Sequence, residues 1–467
     1  MILRPAFFSL IFFLFGGGCR IAERTPDLFP VTNVKTELSA GTPLKGVLTR
    51  VGAASSAFVP DKPVALSGFG ALGRRFVPPL FLTGGNTAFC RPYEKIENPP
   101  LIRAAVFELQ LNDGTSDKLF LISLDLVAVT ADLTRKIHDL IKAVAPNSEP
   151  STTNTIVVAT HTHSGPAGLT ENPLWSAFVC DRFNAQLTAS YLDKLSKTLK
   201  TALSRTENIQ SIRTQSVLQP ELFASRFSDM PAAAEIKVVS FSTSAGSTPL
   251  SLLQLAAHPT FFGTRDLILS SDLVAPVETA VKNSIGAQEV FLLQTAVGNM
   301  NAQLAGESRE RWAAKVSEAL KIQGESNSIS DLKMSAIAGH IPLPEPQINW
   351  QACDQSLSKP FVSLPILKSL PRSAPFSLWS FAKTKHLFIS GEWTTAAEAK
   401  IKDDLKDSFQ ADTELKIFSL AHDYTAYHVA KKDYTKKELE SCSSLYGDSA
   451  VDDISHFLRS ADLNGKL

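Results

Sequence analysis

The chain is 467 residues long, with 46 Lys+Arg balanced by 46 Asp+Glu, 44% hydrophobic residues and 20% charged ones. Such an apolar sequence buries a sizeable core and is not disordered; its zero net charge, with no local Lys/Arg cluster, excludes nucleic acid as a partner held by phosphate electrostatics. The length suits roughly two to four domains of ~150 residues, or one large mixed fold.

At the N-terminus, Arg4, the apolar run Ala6 to Phe15 and the small residues Gly16-Gly17-Gly18 before Cys19 form a secretory signal. The run is shorter than the ~20 residues a bilayer span needs. Cys19, directly after small residues, resembles the cysteine of a bacterial lipoprotein signal, which becomes the lipidated N-terminus. Gly16 stands where the lipobox usually has leucine, and a plain signal peptide is the other reading. The expectation is an exported protein lipid-anchored in the bacterial cell envelope. Residues 1–19 are its signal, 20–51 a flexible tether rich in Thr, Pro, Asn and Lys, and 52–467 its body.

Gly68-Phe69-Gly70-Ala71-Leu72-Gly73 matches GxGxxG, but Arg74 to Pro79 cannot open the helix a dinucleotide site requires, so a glycine-rich turn is predicted. Short apolar runs predict buried strands at Leu119 to Leu126, Ile156 to Ala159, Leu250 to Ala257, Val290 to Leu293, Leu387 to Ser390 and Leu415 to Leu420. Helices are predicted at Thr130 to Val144, Asn184 to Ser204, Glu307 to Ile322 and Thr395 to Ser408. The alternation predicts an α/β body. Ile341 to Pro375, rich in Pro and Ser, reads as a long loop or insertion. Cys90, Cys180, Cys353 and Cys442 lack CxxC spacing and make no zinc knuckle. In an oxidising compartment they form one or two disulfides, or remain buried thiols.

The chemistry gathers at strand ends. His161-Thr162-His163-Ser164-Gly165-Pro166 follows Ile156 to Ala159. On an extended backbone residues i and i+2 point the same way, so both imidazoles face one site. Alone, the pair is as readily structural as functional. His258 ends a second apolar run, Glu392 follows a third, and Tyr424 and Tyr427 follow a fourth. Two histidines, a carboxylate and a phenol beyond separate strands make a mixed nitrogen and oxygen site for zinc. The phenol, with an ordinary pKa of ~10, joins as phenolate only because a metal lowers that value. The metallo-β-lactamase pattern continues with Asp-His where Ser164-Gly165 stands here, and amidohydrolase barrels place HxH near the N-terminus; neither fits.

His161-Thr162-His163-Ser164-Gly165-Pro166 resembles the THTHSGP motif of the neutral ceramidases, zinc amidases that cut the N-acyl bond of ceramide. The similarity continues in chain order. Ala257-His258-Pro259-Thr260 with Ser270-Ser271-Asp272 resembles HPT…SSD, and Gly391-Glu392-Trp393-Thr394-Thr395 resembles GEFTT. Asp423 to Tyr427, ending in Ser443-Ser444-Leu445-Tyr446-Gly447, resembles NxYxxY…STxYG. Ser67-Gly68-Phe69-Gly70 and Leu101-Ile102-Arg103-Ala104 resemble the first glycine turn and the following strand. The resemblance covers roughly residues 60 to 450, and the sequence as read stops at Leu467 without the family's immunoglobulin-like C-terminal domain.

The resemblance implies one catalytic domain of mixed β-sheets flanked by helices, running through the Pro/Ser-rich segment. It implies one zinc ion on His161, His258, Glu392 and Tyr427, the second tyrosine being the better match. His163 matches the catalytic histidine, assigned as a proton shuttle. Arg226 is either a substrate-orienting arginine or a surface one. Two positions depart from the family: Asn301 stands where it has an active-site serine, and Leu439 where it has a second tyrosine. Loss of one oxyanion donor typically costs ~10²–10³ in rate, which damages but does not abolish metal-assisted hydrolysis. The Asn301 amide is a replacement donor. The expected activity is cleavage of an N-acyl amide, ceramide-like or another lipid amide, by zinc-activated water. The competing expectation is a non-catalytic surface lipoprotein that keeps the metal as a structural clip and binds lipid or another ligand.

Overall fold

A computed structural model describes residues 43–69, 74, 90–179, 181–227, 234–323, 325–347, 349, 352–353, 370–409 and 413–461. The signal with Cys19, most of the expected tether, part of the glycine-rich turn, Cys180 and the middle of the Pro/Ser-rich segment lie outside these. In chain order the strands begin with β1 (Leu44–Ala57), β2 (Lys95–Ile96), β3 (Leu101–Leu111), β4 (Ser116–Leu124), β5 (Thr155–Ala159), β6 (Glu207–Asn208) and β7 (Ser211–Leu218). There follow β8 (Phe223–Ser225), β9 (Glu235–Ser242), β10 (Leu250–Leu255), β11 (Ile268–Leu269), β12 (Val290–Gln294), β13 (Met300–Ala302) and β14 (Glu325–Ile329). The last are β15 (Lys333–Pro342), β16 (Ser373–Phe381), β17 (Thr384–Ile389), β18 (Glu392–Trp393), β19 (Glu414–Phe418) and β20 (Tyr427–His428).

Two mixed sheets stack face to face between two helical layers. The larger runs β19-β17-β16-β15-β1-β3-β4-β5, with β6 on β1; the smaller runs β12-β10-β9-β7-β14. Period-two alternation of apolar residues builds the layers. In β3, Ile102, Ala104 and Val106 face the helices Ala131–Val144 and Ala185–Ser204, while Ala105, Phe107 and Leu109 face the second sheet. In β10, Leu250 and Leu252 meet that shared core, and Leu253 and Leu255 pack on the far side against the helices Val274–Ile285 and Arg309–Gln323. A strand buried on both faces reads as a continuous apolar run, which is why β4, β5, β10, β12, β17 and β19 were predictable.

The first departure from expectation is β1. Its residues Leu44 to Val51 fall in the segment read as tether, yet they belong to a 14-residue strand, so the body starts earlier than residue 52. The strand is rich in Gly, Ala and Ser, which are poor strand formers. They are small because the Ala185–Ser204 helix lies directly on it: a Cβ on Gly52 would stand 2.3 Å from the Ala202 carbonyl oxygen. The Pro/Ser-rich segment, in turn, connects neighbouring strands, since β15 and β16 pair antiparallel through Pro342 and Ser373. The strands on its two sides thus belong to one sheet. Among the described residues no helix is long and apolar enough to cross a membrane.

At one end the larger sheet nearly closes on itself. Beyond β19, the Ala421 backbone bridges Val158 of β5; the Ala159 N–H donates to the Leu420 oxygen at 3.1 Å and the His422 N–H to the Val157 oxygen at 2.8 Å. That closure brings the loops after β5, β17 and β19 to one place, with the end of β10 beside them.

Candidate metal centre

The convergence of strand ends is pinned by a residue the sequence did not single out. Gln294, the last residue of β12, donates from Nε2 to the carbonyl oxygens of Thr160 (2.9 Å) and Ala257 (2.8 Å), and its Oε1 accepts from the Ala257 N–H (3.1 Å). One side chain thereby ties the residue before His161 to the residue before His258. On the other side, Asp125 accepts from the Thr160 hydroxyl (2.8 Å) and pairs with buried Arg103 (2.7 Å), which also holds Glu278 (2.7 Å). Arg103 is the arginine of the Leu101-Ile102-Arg103-Ala104 segment, and this is its task.

Within that frame the ring nitrogens of His161, His163 and His258 lie within 4.8 Å of one another, a group that could hold a metal ion. Nδ1 of His161 is 2.5 Å from the Val127 oxygen, and Nδ1 of His258 is 3.0 Å from the Met300 oxygen. A carbonyl accepts only, so both Nδ1 atoms carry the hydrogen and, in the neutral rings, neither Nε2 does; His258 Nε2 accepts from Arg226 Nη2 at 3.2 Å. Burial, and the Arg226 charge after it, lower the His258 pKa to about 3, which keeps that ring neutral. The two Nε2 atoms are 3.1 Å apart, and Glu392 Oε2 lies 3.0 Å from one and 3.3 Å from the other. Glu392 Oε2 receives no aligned hydrogen bond. Lone pairs therefore face lone pairs in a buried site, an arrangement that a cation stabilises.

His163 is different. Its Nδ1 accepts the Phe69 N–H at 3.3 Å, so in the neutral ring the hydrogen sits on Nε2, 3.5 Å from His161 Nε2. Burial and the two neighbouring imidazoles hold its pKa well below the ordinary histidine value. His163 thus presents a donor to the centre where its neighbours present lone pairs. Gly68 makes this possible: its φ of +81° belongs to the left-handed region, and a Cβ there would stand 2.6 Å from His163 Cγ and Nδ1. Gly68 and Phe69, the described start of the glycine-rich turn, are part of the site. Buried Arg74 completes the cradle, donating to the backbone oxygens of Ser67 and His163.

Glu392 and Tyr427 are direct partners in the parallel pair β18–β20. Tyr424 donates its hydroxyl to Glu392 Oε1 at 2.5 Å and leaves Oε2 to the histidines. Burial, and then the Glu392 charge, push the pKa of the Tyr427 phenol well above the ordinary value. Arg226 is no surface residue of the loop: Nη2 is 3.2 Å from His258 Nε2 and also donates to the Gly298 oxygen. The Ser270-Ser271-Asp272 segment holds the histidine loops. Asp272 accepts the Phe261 and Phe262 N–H groups at 3.0 Å each, and the Ser270 oxygen accepts the Thr162 hydroxyl at 3.1 Å.

The structure therefore gathers His161, His163, Arg226, His258, Glu392 and Tyr427. Asn301 sits on β13 as the parallel bridge partner of His258, half-buried beside it. Leu439 stays out of the centre, its side chain 56% exposed. The next residue, Glu440, is buried and unexpected: its Oε1 is 2.5 Å from Arg226 Nε. Nothing local in Lys436 to Ser443 marks Glu440, because its partner is far away in sequence. One disulfide is formed among the described residues, Cys353–Cys442.

No protein-family model and no curated protein matches the chain. Among solved structures it is similar to neutral ceramidase from Pseudomonas aeruginosa, with a TM-score of 0.72 and 14% identity, over 90% of this chain and 75% of that one. It is also similar to a ceramidase complexed with C2, with a TM-score of 0.70 and 14% identity, over 89% and 75%. The architecture is thus an α/β fold of mixed sheets flanked by helices. In particular it is the fold of neutral ceramidase, as the sequence motifs implied.

Proposed function

We propose that the protein is a zinc-dependent hydrolase of N-acyl amide bonds, acting on a ceramide-like or other lipid amide. The observation that carries the proposal is the triangle of acceptor atoms, His161 Nε2, His258 Nε2 and Glu392 Oε2, with sides of 3.1, 3.0 and 3.3 Å. Ligands 2.0–2.1 Å from a tetrahedral zinc ion stand ~3.3 Å apart, so the triangle has nearly the size of one face of that tetrahedron. Tyr427, beside Glu392, is the fourth candidate. The ceramidase fold and the motif resemblance supply the reaction class.

Zinc supplies Lewis acidity, polarising a carbonyl and lowering the pKa of water to ~7. The remaining work falls to the chain. Hydrolysis breaks the C–N bond, joins the oxygen of water to the acyl carbon and moves a proton to the leaving nitrogen. His163 offers its Nε2–H to the acyl group as it enters. The Phe69 N–H on Nδ1 supports that donor role; taking up a proton at Nε2 would require the other tautomer, with the ring hydrogen on Nδ1 and the Phe69 hydrogen bond lost. Asn301, next to His258, offers an amide where the family has a serine. Arg226 stands with Nη2 3.2 Å from His258 Nε2 and donates to the Gly298 oxygen. The signal and Cys19 would keep this site close to a membrane and its lipids.

The test is zinc stoichiometry by native mass spectrometry on the wild type and Glu392→Ala, followed by turnover of a panel of N-acyl substrates by the wild type and His163→Ala. The expected result is about one zinc per chain, lost or much weakened without Glu392, and turnover that needs both zinc and His163. Zinc that stabilises the chain with no turnover on any N-acyl amide would overturn the hydrolase reading in favour of a binding protein.

A further inference from the structure

We propose that Glu440 is a positioning residue of the metal centre that acts through Arg226, cancelling the positive charge which that arginine brings against His258. The inference rests on the reading of the site as a metal centre. Arg226 Nη2 donates to a candidate ligand nitrogen, His258 Nε2, at 3.2 Å. A divalent ion beside it adds two positive charges, against the one negative charge of Glu392. The Arg226 charge adds to that positive excess in a buried site, which weakens cation binding. Glu440 offsets the Arg226 charge. Its side chain is 2% exposed, and Oε1 is 2.5 Å from Arg226 Nε. A water-filled surface would screen such a charge; a carboxylate at that depth is screened much less.

Glu440 is also built in. It lies in the single-turn helix Leu439–Cys442, which the Cys353–Cys442 disulfide fixes at its last residue. Asn349 Nδ2 donates to the Ser441 oxygen (2.8 Å) and the Tyr434 oxygen (2.7 Å), and Ser441 Oγ donates to the Asp433 oxygen (2.8 Å). The helix turns Leu439 out to solvent and Glu440 in towards Arg226. At the position where the motif resemblance had placed a tyrosine, this chain carries instead a buried carboxylate one residue on.

The experiment is a charge cycle on zinc affinity, measured by competition with a chromogenic chelator, for the full chain and for Glu440→Gln, Arg226→Gln and the double variant. Melting of each metal-free protein serves as the check on folding. The expected result is zinc binding about 10–100-fold weaker in Glu440→Gln, the range usual for partners of metal ligands. Arg226→Gln binds zinc at least as tightly as the wild type, and the double variant recovers most of the loss. A purely structural Glu440 would give a double variant at least as weak as Glu440→Gln. Glu440→Gln binding zinc like the wild type, or Arg226→Gln binding it more weakly, overturns this inference alone. If Glu440→Gln does not fold, the Arg226→Gln outcome still decides. A wild type that binds no zinc removes the metal reading and the inference with it.

Discussion

His163 owes its orientation to a residue that carries no side chain. Gly68 sits against the imidazole at a distance no Cβ tolerates, with a φ that other residues adopt at a cost of roughly 1–2 kcal/mol. Gly68→Ala is therefore expected to push the His163 ring away while leaving His161, His258 and Glu392 in place. Zinc stoichiometry should stay at the wild-type value, and turnover of an N-acyl substrate that the wild type cleaves should fall by ~10², the cost of misplacing a reacting group by about 1 Å. Unchanged turnover in a folded Gly68→Ala would show that the ring is not held by this contact. At this scale the sequence was legible where a residue stood in a motif at the end of an apolar run, as His161, His258 and Glu392 do. Gln294, Arg74 and Glu440 were not, because each works through a partner brought near only by folding. Glu440 in particular lies in a stretch of Lys, Glu and Ser that reads as solvated surface.

Strands, too, were readable in proportion to how they are buried. β5, β10 and β12 are apolar on both faces and were anticipated almost to their ends. β7 mixes half-buried and exposed residues, and β1 is built of small ones, so neither gave an apolar run. The two sheets are clasped at one end by charges that periodicity cannot reveal. Lys237 of β9 pairs with Glu414 of β19, and Lys416 of β19 pairs with Glu235 of β9 and, at 2.7 Å, with Glu414. Burial opposes ionisation of Glu414, but the Lys416 charge and the Lys237 hydrogen bond outweigh it and bring its pKa down to about 2. A carboxylate whose folded pKa is depressed stabilises the fold above its unfolded pKa, ordinarily near 4.5, and that stability is lost as the pH falls through the folded value. Glu414→Gln should thus melt about 1–2 °C below the wild type at neutral pH, a modest gap because Glu414 is partly exposed to solvent. The gap should narrow below pH 4.5 and close near pH 2, and melting curves across that range are the measurement. A gap that is the same at pH 3 and pH 7 would mean that packing, not charge, supplies it.

Across the whole molecule, the candidate site belongs to no single element. The larger sheet contributes His161 after β5, Glu392 after β17 and Tyr427 after β19; the smaller contributes His258 after β10. Alternating apolar runs foretold the α/β class, but the near-closure of the larger sheet, which makes the four residues neighbours, depends on twist and on backbone bonds such as Ala159 to Leu420. The disulfide divides this set in a way that matters for a broken chain. Cys353 and Cys442 enclose Glu392 and Tyr427 within their loop, whereas His161 and His258 lie before it. A protease that cuts once between Cys353 and Glu392 leaves one piece with both histidines and another with the glutamate and the tyrosine. Those pieces should migrate as a single species on a non-reducing gel and separate only after reductant is added. Because the candidate ligands stay within reach of one another, the nicked protein should still retain zinc while the disulfide is intact.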